Sequence, residues 1–575
     1  MLPVLAGPTQ SEAKAAPKSA AQAAKPAGKQ PVSLFKVSGP SAGVALTPGL
    51  APAKHSEDDH ENGHKPVVGR TTPLQKASFA ALLKIKAGQL VQLPLAGGKV
   101  VEGIVNIVRV DKGWTRVGGS LSNGSGSFSL SYNDGKVGGF IQQKKLGLAH
   151  RIDQSGDAAQ LRETLLSNLV CNIPRWSSGA RGARPVGAPP IVPILNSRLS
   201  ATAQLYLDFD GETVTDPLWD EGRTIVAPAF DLSETEITDI FNRVKEDFAP
   251  FNVNITTDKD KYASAPVGKR MRCIMTPNDA ALPGTGGGAY LTSFRNAGTG
   301  FFTSDIPCWV FNGGVIGISE TISHELGHTF GLNHDGRNLA DGSKEEYFAG
   351  HGDSSTTGWA PIMGSSFSKP VAQWSKGEYA LANNVEDDVA IIGGRENGIG
   401  FAADEDGNST GRAKVLSLNG TINQNGVLSE ASDVDFYSFS TLGGRFEVTA
   451  TGAAPSPNLD IALELRSASG NVVASDNAAG ELSAGISAVL EAGKYFLKVE
   501  GVGDGDVTGT GYSDYGSIGA YSLAGSFLSA PSLVVTSSTV LEGDSQATAN
   551  FTFSLSYAPT EAVSVDYATA DGTAT

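Results

Sequence analysis

The segment Ile322-Ser-His-Glu-Leu-Gly-His-Thr-Phe-Gly-Leu-Asn-His-Asp335 contains three histidines, spaced four and six residues apart. On an α-helix, residues four apart lie on one face, about 6 Å apart along the axis, so His324 and His328 can bind one metal ion. A continuing helix would carry His334 away from that ion. The chain must therefore leave the helix before His334, and Gly331 is the residue best able to adopt the positive φ of such a turn.

Three histidines leave the fourth position of a tetrahedral zinc ion to water, as in catalytic zinc sites. Glu325 directly follows the first histidine and is expected to point to that open side. Zinc lowers the pKa of its water toward about 7, so a neighbouring carboxylate can take the proton and pass it to a leaving amine. The segment therefore predicts zinc-assisted hydrolysis, with His324, His328 and His334 as ligands and Glu325 as general base.

The pattern H-E-x-x-H-x-x-G-x-x-H resembles that of the metzincin zinc peptidases. Asp335, directly after the third histidine, resembles the adamalysin (reprolysin) branch. The resemblance implies a methionine turn beneath the metal, and Met363 in Trp359-Ala-Pro-Ile-Met-Gly364 is the candidate. It also implies an α/β catalytic domain with a mixed sheet and an active-site helix.

The sequence beyond residue 398 shows short alternating apolar runs, typical of all-β modules. Asp404-Glu-Asp-Gly-Asn408 and Asp433-Val-Asp-Phe-Tyr437 resemble bacterial pre-peptidase C-terminal domains, and Val540-Leu-Glu-Gly-Asp544 resembles the start of a Calx-beta repeat. Their carboxylates suit Ca²⁺, although aspartates are equally common in turns. The candidate calcium ligands are Asp404, Asp406, Asp433, Asp435 and Glu542.

The predicted fold class is multidomain, with an α/β metzincin catalytic domain that follows a β-rich pro-region and precedes all-β sandwich modules. A short amphipathic helix is predicted at Ala158–Leu169 within the pro-region. The repeat at the end breaks off in mid-pattern, so further chain is expected beyond it. The five parts are a disordered low-complexity segment (1–69), a pro-region-like β module with a linker (70–195), the catalytic domain (196–398), a pre-peptidase C-terminal-like β sandwich (399–528) and a partial Calx-beta repeat (531–575).

Three cysteines, Cys171, Cys273 and Cys308, allow one intrachain disulfide at most. Cys273 and Cys308 fall in the catalytic domain, so either a disulfide between them or two buried thiols are expected. The module before the linker resembles the pro-regions of adamalysin-like peptidases, several of which are kept silent by a cysteine on the zinc. The resemblance implies a proenzyme with Cys171 as latency ligand and Arg181 as a candidate processing site. The alternative for Cys171 is a small buried hydrophobic residue.

The segment Gly288-Ala-Tyr-Leu-Thr-Ser-Phe294 resembles the edge strand along which such enzymes bind an extended substrate. Unpaired backbone groups at a sheet edge bind peptides with little sequence restriction, so proteins or peptides are the expected substrates. A loop or a purely structural strand is the alternative for this segment, because of its glycine.

A formal net charge of −16 with 18% charged residues argues against nucleic acid or an anionic membrane as the main partner. No run approaches the ~18 apolar residues of a transmembrane helix. The N-terminus shows no clear signal peptide, but the β modules favour a secreted or cell-surface protein whose C-terminal modules contact the cell surface or matrix.

The predicted function is a secreted zinc metalloendopeptidase made as a proenzyme. One alternative is a surface adhesin or binding protein that keeps a protease-like scaffold, and another is a zinc hydrolase of non-protein esters or amides. The complete set of three histidines and Glu325 favours an enzyme over an adhesin, because a degenerate scaffold usually loses one of these residues.

Overall fold

The structure is a computed structural model that describes residues 30–46, 69–176, 182, 190–353, 355–404, 407–536, 538–540, 543–556, 563–568 and 570. The candidate processing site Arg181 and the candidate calcium ligands Asp406 and Glu542 lie outside the described residues. Residues 30–46, expected to be disordered, contribute two short strands to a sheet, with Leu34 and Phe35 buried between them.

The first assembly is a nearly closed sheet of ten strands that precedes the linker. Its strands are β1 (Val32–Ser33), β2 (Lys36–Val37), β3 (Thr71–Gln75), β4 (Leu90–Pro94), β5 (Val100–Asp111), β6 (Trp114–Leu121), β7 (Ser127–Asn133), β8 (Lys136–Gln143), β9 (Leu148–Ser155) and β10 (Ala158–Leu165). Strands β4 to β10 form an antiparallel meander, β10 pairs with β3, and β1 runs parallel to β4. Phe79, on a 3-10 helix at Lys76–Lys84, is buried in the core of this sheet.

The segment expected to form a helix at Ala158–Leu169 is instead strand β10 followed by a 3-10 turn at Leu166–Asn168. Strand β10 pairs with β9 at every residue from Ala158 to Leu165. Short segments with mixed spacing fit either period, and here pairing with a neighbouring strand decides the outcome.

The central module surrounds a six-stranded sheet with the order β11-β17-β18-β16-β12-β15. Its elements are β11 (Val170–Ile173), β12 (Ala203–Asp208), β13 (Glu212–Thr215), β14 (Thr224–Ala227), α1 (Glu234–Asp247), β15 (Val253–Thr256), α2 (Lys259–Ser264), β16 (Arg270–Met275), β17 (Gly287–Tyr290), α3 (Ser293–Asn296), β18 (Pro307–Val310), α4 (Val315–Phe330), β19 (Arg337–Asn338), β20 (Lys344–Glu345), β21 (Trp359–Pro361), β22 (Val371–Gln373) and α5 (Asp388–Gly393). Strands β15, β12, β16 and β18 are parallel, whereas β17 and β11 are antiparallel to their neighbours. Strand β11 belongs to the part of the chain before residue 195, so that part supplies an edge of this sheet.

Helices α1 and α4 pack against each other in the core of the central module. Helix α1 begins with a capping box, in which Ser233 and Glu236 satisfy each other's backbone N–H groups. Its buried residues Ile237, Ile240 and Val244 follow helical spacing and join the central core. This packing holds α4 at a fixed place behind the sheet.

The chain after the central module forms a continuous seven-stranded sheet and a separate strand pair. The strands are β23 (Lys414–Val415), β24 (Thr421–Leu428), β25 (Val434–Gly452), β26 (Ile461–Ser467), β27 (Val472–Asp476), β28 (Ala484–Gly501), β29 (Gly519–Ser529), and the pair β30 (Leu533–Thr536) and β31 (Thr552–Leu555). The long strands β25 and β28 pair along almost their whole length. Gly443 and Gly444 lie within β25 and have positive φ values of 106° and 144°, and the pairing continues through them. Strands β23 to β29 therefore belong to one hydrogen-bonded sheet.

The seven-stranded sheet docks on the central module at the end of α1. The Asn458 amide donates to Asp247 Oδ1 at 2.8 Å, and the Trp374 indole N–H donates to the Asp247 carbonyl at 2.7 Å. Asp247 Oδ2 in turn accepts from the hydroxyl of Ser323 on α4 at 2.5 Å. A buried carboxyl thus joins α1, α4 and the C-terminal sheet.

The predicted fold class, with an α/β metzincin catalytic domain at its centre and sandwich modules after it, is wrong for this chain. Strands make up 40% of the structure and helices 13%, arranged in one large nearly closed sheet and several smaller ones. Among the described residues only α1 and α4 exceed eight residues in an α-helix. The histidine motif specifies one helix, whereas the strand pairings around it determine the architecture.

Among the described residues, no helix combines the length and apolar character needed to cross a membrane.

Candidate active site

Helix α4 carries the histidine motif through the interior of the central module. Its residues from Gly317 to Phe330 are all buried. The helix ends at Gly331, which has φ +115° and donates its N–H to the carbonyl oxygens of Gly327 and His328. Residues with a Cβ are strained at this φ. The chain turns at this glycine and brings His334 back toward the helix.

The three histidines meet at their Nε2 atoms. Nε2 of His328 lies 3.1 Å from Nε2 of His324 and 3.1 Å from Nε2 of His334. Burial, together with the neighbouring imidazoles, lowers the pKa of His324 to about 3 and that of His328 well below its usual range. Neutral imidazole is the form in which histidine binds metal ions.

Each histidine is oriented by an acceptor at its other ring nitrogen. Nδ1 of His324 lies 2.9 Å from the Ile362 carbonyl, and Nδ1 of His328 lies 2.8 Å from the Leu332 carbonyl. Nδ1 of His334 lies 2.8 Å from Glu346 Oε1. An acceptor at Nδ1 places the proton there and leaves the Nε2 lone pair for a metal. Three converging nitrogen lone pairs with such partners fit a zinc ion.

Met363 is buried against α4 at Gly327, the residue before His328. A Cβ at Gly327 would lie 2.5 Å from Met363 Sδ, so the glycine allows the sulfur to approach the helix. The Asp335 N–H donates to the Met363 carbonyl at 2.9 Å, and Asp335 Oδ1 accepts from Asn384 Nδ2 at 3.3 Å. Burial raises the pKa of Asp335 well above its usual range. The structure therefore joins Asp335 and Met363 through a main-chain hydrogen bond.

Glu325 is fully buried between α4 and strand β17. Within the described part of the chain, neither of its carboxylate oxygens has a hydrogen-bond partner. A Cβ at Gly287 would lie 2.6 Å from Glu325 Oε1, so this glycine of β17 leaves room for the carboxylate. Burial raises the pKa of Glu325 well above its usual range. An unpartnered buried carboxyl is costly unless a ligand or substrate completes its environment.

Strand β11 pairs with β17 along the edge where a substrate was expected, with Cys171 opposite Ala289. Cys171 Sγ and the Nε2-bearing rings of His328 and His334 form a group whose ligand atoms all lie within 4.8 Å of one another. The thiol donates to the Ser167 carbonyl at 3.3 Å, and burial raises its pKa well above the usual range. Strand β11 thus places Cys171 at the histidines.

Two residues beside the histidines, Glu346 and Tyr347, are absent from the sequence prediction. Glu346 Oε1 is the hydrogen-bond partner of His334 Nδ1, and the Tyr347 ring centroid lies 4.5 Å from that of His334. The Tyr347 hydroxyl donates to the carbonyl oxygen of Asn172 in β11 at 2.6 Å. An acidic residue next to an aromatic one was their sole sequence signal, and such pairs are too common to select a site.

Of the two alternatives for Cys273 and Cys308, the structure has the buried free thiols. They are register partners on the adjacent parallel strands β16 and β18. Side chains of such partners stand about 4.8 Å apart, the spacing of the strands, whereas a disulfide needs Cβ atoms about 3.5–4.5 Å apart. Burial raises the pKa of Cys273 well above its usual range, which keeps that thiol protonated.

His351 is buried against the ring of Trp359. Its Nε2 lies 3.1 Å from the Val507 carbonyl in the C-terminal sheet. The contact comes from a distant part of the chain, so local sequence did not predict it. His351 is not part of the group at the three motif histidines.

Among the candidate calcium ligands, Asp404, Asp433 and Asp435 form a group whose oxygen atoms lie within 4.8 Å of one another. Asp433 Oδ2 accepts from the Ser429 N–H at 2.7 Å, whereas its Oδ1 has no hydrogen-bond partner among the described residues. Asp435 Oδ2 accepts from the Tyr521 hydroxyl at 2.5 Å. The three carboxylates thus lie at one end of the C-terminal sheet.

No protein-family model matches the chain, and no curated protein is significantly similar to it in sequence. A search of solved structures finds the pre-peptidase C-terminal domain of a collagenase from Bacillus anthracis, at 21% identity. That match covers 19% of this chain and 90% of the other, with a TM-score of 0.15. A TM-score this low carries no argument about fold or function.

Replacing Glu346 by alanine removes the acceptor that orients His334. Loss of such an outer partner typically costs about 10–100-fold in metal affinity, so we expect the zinc dissociation constant of Glu346→Ala to rise by about that factor. Competition with a chelator measures it. The control is Glu345→Ala, because Glu345 pairs with Arg337 instead of a histidine. An equal change in both variants would contradict the role given to Glu346.

Proposed function

We propose that this protein is a zinc-dependent endopeptidase of the metzincin type, made in a latent form. The observation that supports it best is the convergence of three histidine Nε2 atoms beside the buried Glu325. Nε2 of His328 lies 3.1 Å from each of the other two. The three histidines and Glu325 support this chemistry whatever the class of the fold around them. A location outside the cytoplasm and contacts of the C-terminal modules with a cell surface or matrix stay part of this proposal.

His324, His328 and His334 would hold the zinc ion through Nε2. A bound zinc supplies Lewis acidity, which acidifies water and polarises a carbonyl. Glu325 takes a proton from the attacking water on a carboxylate oxygen and delivers it to the departing amine nitrogen. Its position beside Gly287 suits this role, because among the described residues neither carboxylate oxygen has a hydrogen-bond partner that would compete with water.

The edge of β17 supports a peptide as the substrate. Strand β11 already pairs there antiparallel, with four register partners from Val170 to Ile173. A substrate chain in the same place would form the same main-chain hydrogen bonds, which favour extended peptides of varied sequence. An ester or amide without a peptide backbone would leave these edge groups unpaired.

Glu325→Gln keeps the shape of the side chain but cannot accept the proton. After cleavage between Trp176 and Pro190 and separation of the N-terminal fragment, we expect this variant to bind zinc as the wild type does. Its casein hydrolysis should fall by at least about 10²-fold, the usual contribution of general acid–base catalysis. Zinc content by metal analysis is the control, and chelator should abolish wild-type activity. Full casein turnover by the variant would exclude Glu325 as the base, and ester hydrolysis without casein hydrolysis would favour a non-protein substrate.

The second part of the proposal is latency, which the position of Cys171 supports. The strand that carries it closes the edge of β17, and its sulfur lies in one group with His328 and His334. A thiolate is a strong zinc ligand and would take the position that water needs. Both contacts would have to be broken before a substrate binds.

Cys171→Ser removes the thiolate ligand with little change of size. In the uncleaved chain loaded with Co²⁺, we expect the wild type to show thiolate-to-metal charge-transfer absorption and the serine variant to lack it. Cys308→Ser is the control and should keep the absorption, because Cys308 donates to the Arg272 carbonyl on a neighbouring strand. With zinc, the uncleaved Cys171→Ser chain should still fail to hydrolyse casein, because β11 keeps the edge of β17 closed. Absence of the absorption in the wild type would rule out Cys171 as a ligand.

Calcium is a further part of the proposal, restricted to stability. Ca²⁺ binding at Asp404, Asp433 and Asp435 should raise the melting temperature of the C-terminal sheet in the intact protein, because a ligand of the folded state stabilises it. Differential scanning calorimetry with millimolar Ca²⁺ measures the shift, and Asp433→Asn should reduce it. An unchanged melting temperature in wild type would mark these aspartates as turn residues.

A further inference from the structure

Tyr347 stands beside the histidines but has no part in holding them. It directly follows Glu346, the acceptor for His334, and its ring is half-buried. The ring centroid lies 4.5 Å from that of His334 and 6.2 Å from that of His324. The phenol therefore stands beside two of the candidate metal ligands, and its hydroxyl reaches the main chain of β11.

The hydroxyl of Tyr347 donates to a main-chain carbonyl, that of Asn172, at 2.6 Å. Asn172 follows Cys171 in β11 and is the register partner of Gly288 in β17. This carbonyl belongs to a strand in the place that the proposed function gives to the substrate. Tyr347 thus already binds the backbone oxygen of an extended chain next to the candidate metal ligands.

We propose that Tyr347 is a catalytic residue that donates a hydrogen bond to the carbonyl oxygen of the peptide bond being cleaved. This inference rests on the proposed function and deepens it. When β11 leaves the edge of β17, the hydroxyl loses the Asn172 carbonyl and becomes available to a substrate carbonyl. A phenol keeps its proton at neutral pH, so it acts as a donor to an oxygen that gains negative charge.

The step balances without transfer of the tyrosine proton. The oxygen of water bonds to the carbonyl carbon, and the carbon–nitrogen bond then breaks. One proton of the water moves through Glu325 to the amine nitrogen, and the other remains on the new carboxylic acid until it ionises. Tyr347 donates its hydrogen bond most strongly when the carbonyl oxygen carries charge, so it stabilises the transition state more than the bound substrate.

The test compares Tyr347→Phe with wild type after cleavage between Trp176 and Pro190 and separation of the N-terminal fragment. Loss of one such donor typically costs about 10²–10³-fold in kcat, so we expect that decrease on a casein-derived peptide, with a small change in KM and unchanged zinc content. A phosphinic peptide, whose tetrahedral phosphorus carries a charged oxygen, should bind the variant more weakly by a similar factor. The matched control is Tyr379→Phe, because the Tyr379 hydroxyl donates to the Gly336 carbonyl and lies outside the histidine cluster.

The outcomes separate the two proposals. If the wild type hydrolyses the peptide and binds the phosphinic inhibitor, but Tyr347→Phe does both equally well, Tyr347 merely holds the pro-region strand and the inference is overturned. A rise in KM with kcat unchanged would overturn it as well. Such a result would mean that Tyr347 binds the substrate and the transition state equally well. If zinc-loaded wild type does neither, the peptidase function itself is wrong.

Discussion

The backbone conformation of Gly331 is the constraint on which the candidate site depends. Helix α4 supplies two imidazoles on one face, and two neutral imidazoles are an incomplete zinc site. A φ of +115° at Gly331 ends the helix and lets His334 return to within 3.1 Å of His328, measured between their Nε2 atoms. The same turn places the Leu332 carbonyl where it accepts from His328 Nδ1. One turn therefore positions one candidate ligand and orients another.

The sequence predicts the part of the site that is local along the chain. The spacing of His324 and His328 and the need for a turn near Gly331 follow from helix geometry alone. The acceptor that orients His324 is not local: the Ile362 carbonyl reaches it from 38 residues away. A backbone carbonyl has no sequence signature, because every residue carries one. Tyr347 escapes prediction for a similar reason, since its partner is the carbonyl of Asn172.

The fold class could not be predicted in the same way, because it depends on which strands pair. Helix α4 has 16 residues, and the motif within it says nothing of the sheets around it. Strand β11 precedes the linker yet pairs with β17 far along the chain, and residues 30–46 join the ten-stranded sheet despite a segment of low-complexity composition beside them. Alternation predicts that a segment is a strand but not its neighbour. The location of His351 depends likewise on Val507, which belongs to another assembly.

The closed edge of β17 links the N-terminal part of the chain to the latency proposed above. An open edge would pair with any extended peptide, so closing it with β11 also protects the chain from unwanted association. Because β11 is joined to the rest of the chain, it competes with substrates at an effective concentration of millimolar order for a short linker. Cleavage of the linker alone does not release β11, because the ten-stranded sheet also contacts the central module. Arg116 donates to the Thr299 carbonyl, and Asp111 accepts from the Ser304 N–H. Opening of the site therefore requires β11 to detach locally or the whole N-terminal sheet to dissociate, and the second route breaks more hydrogen bonds than the first.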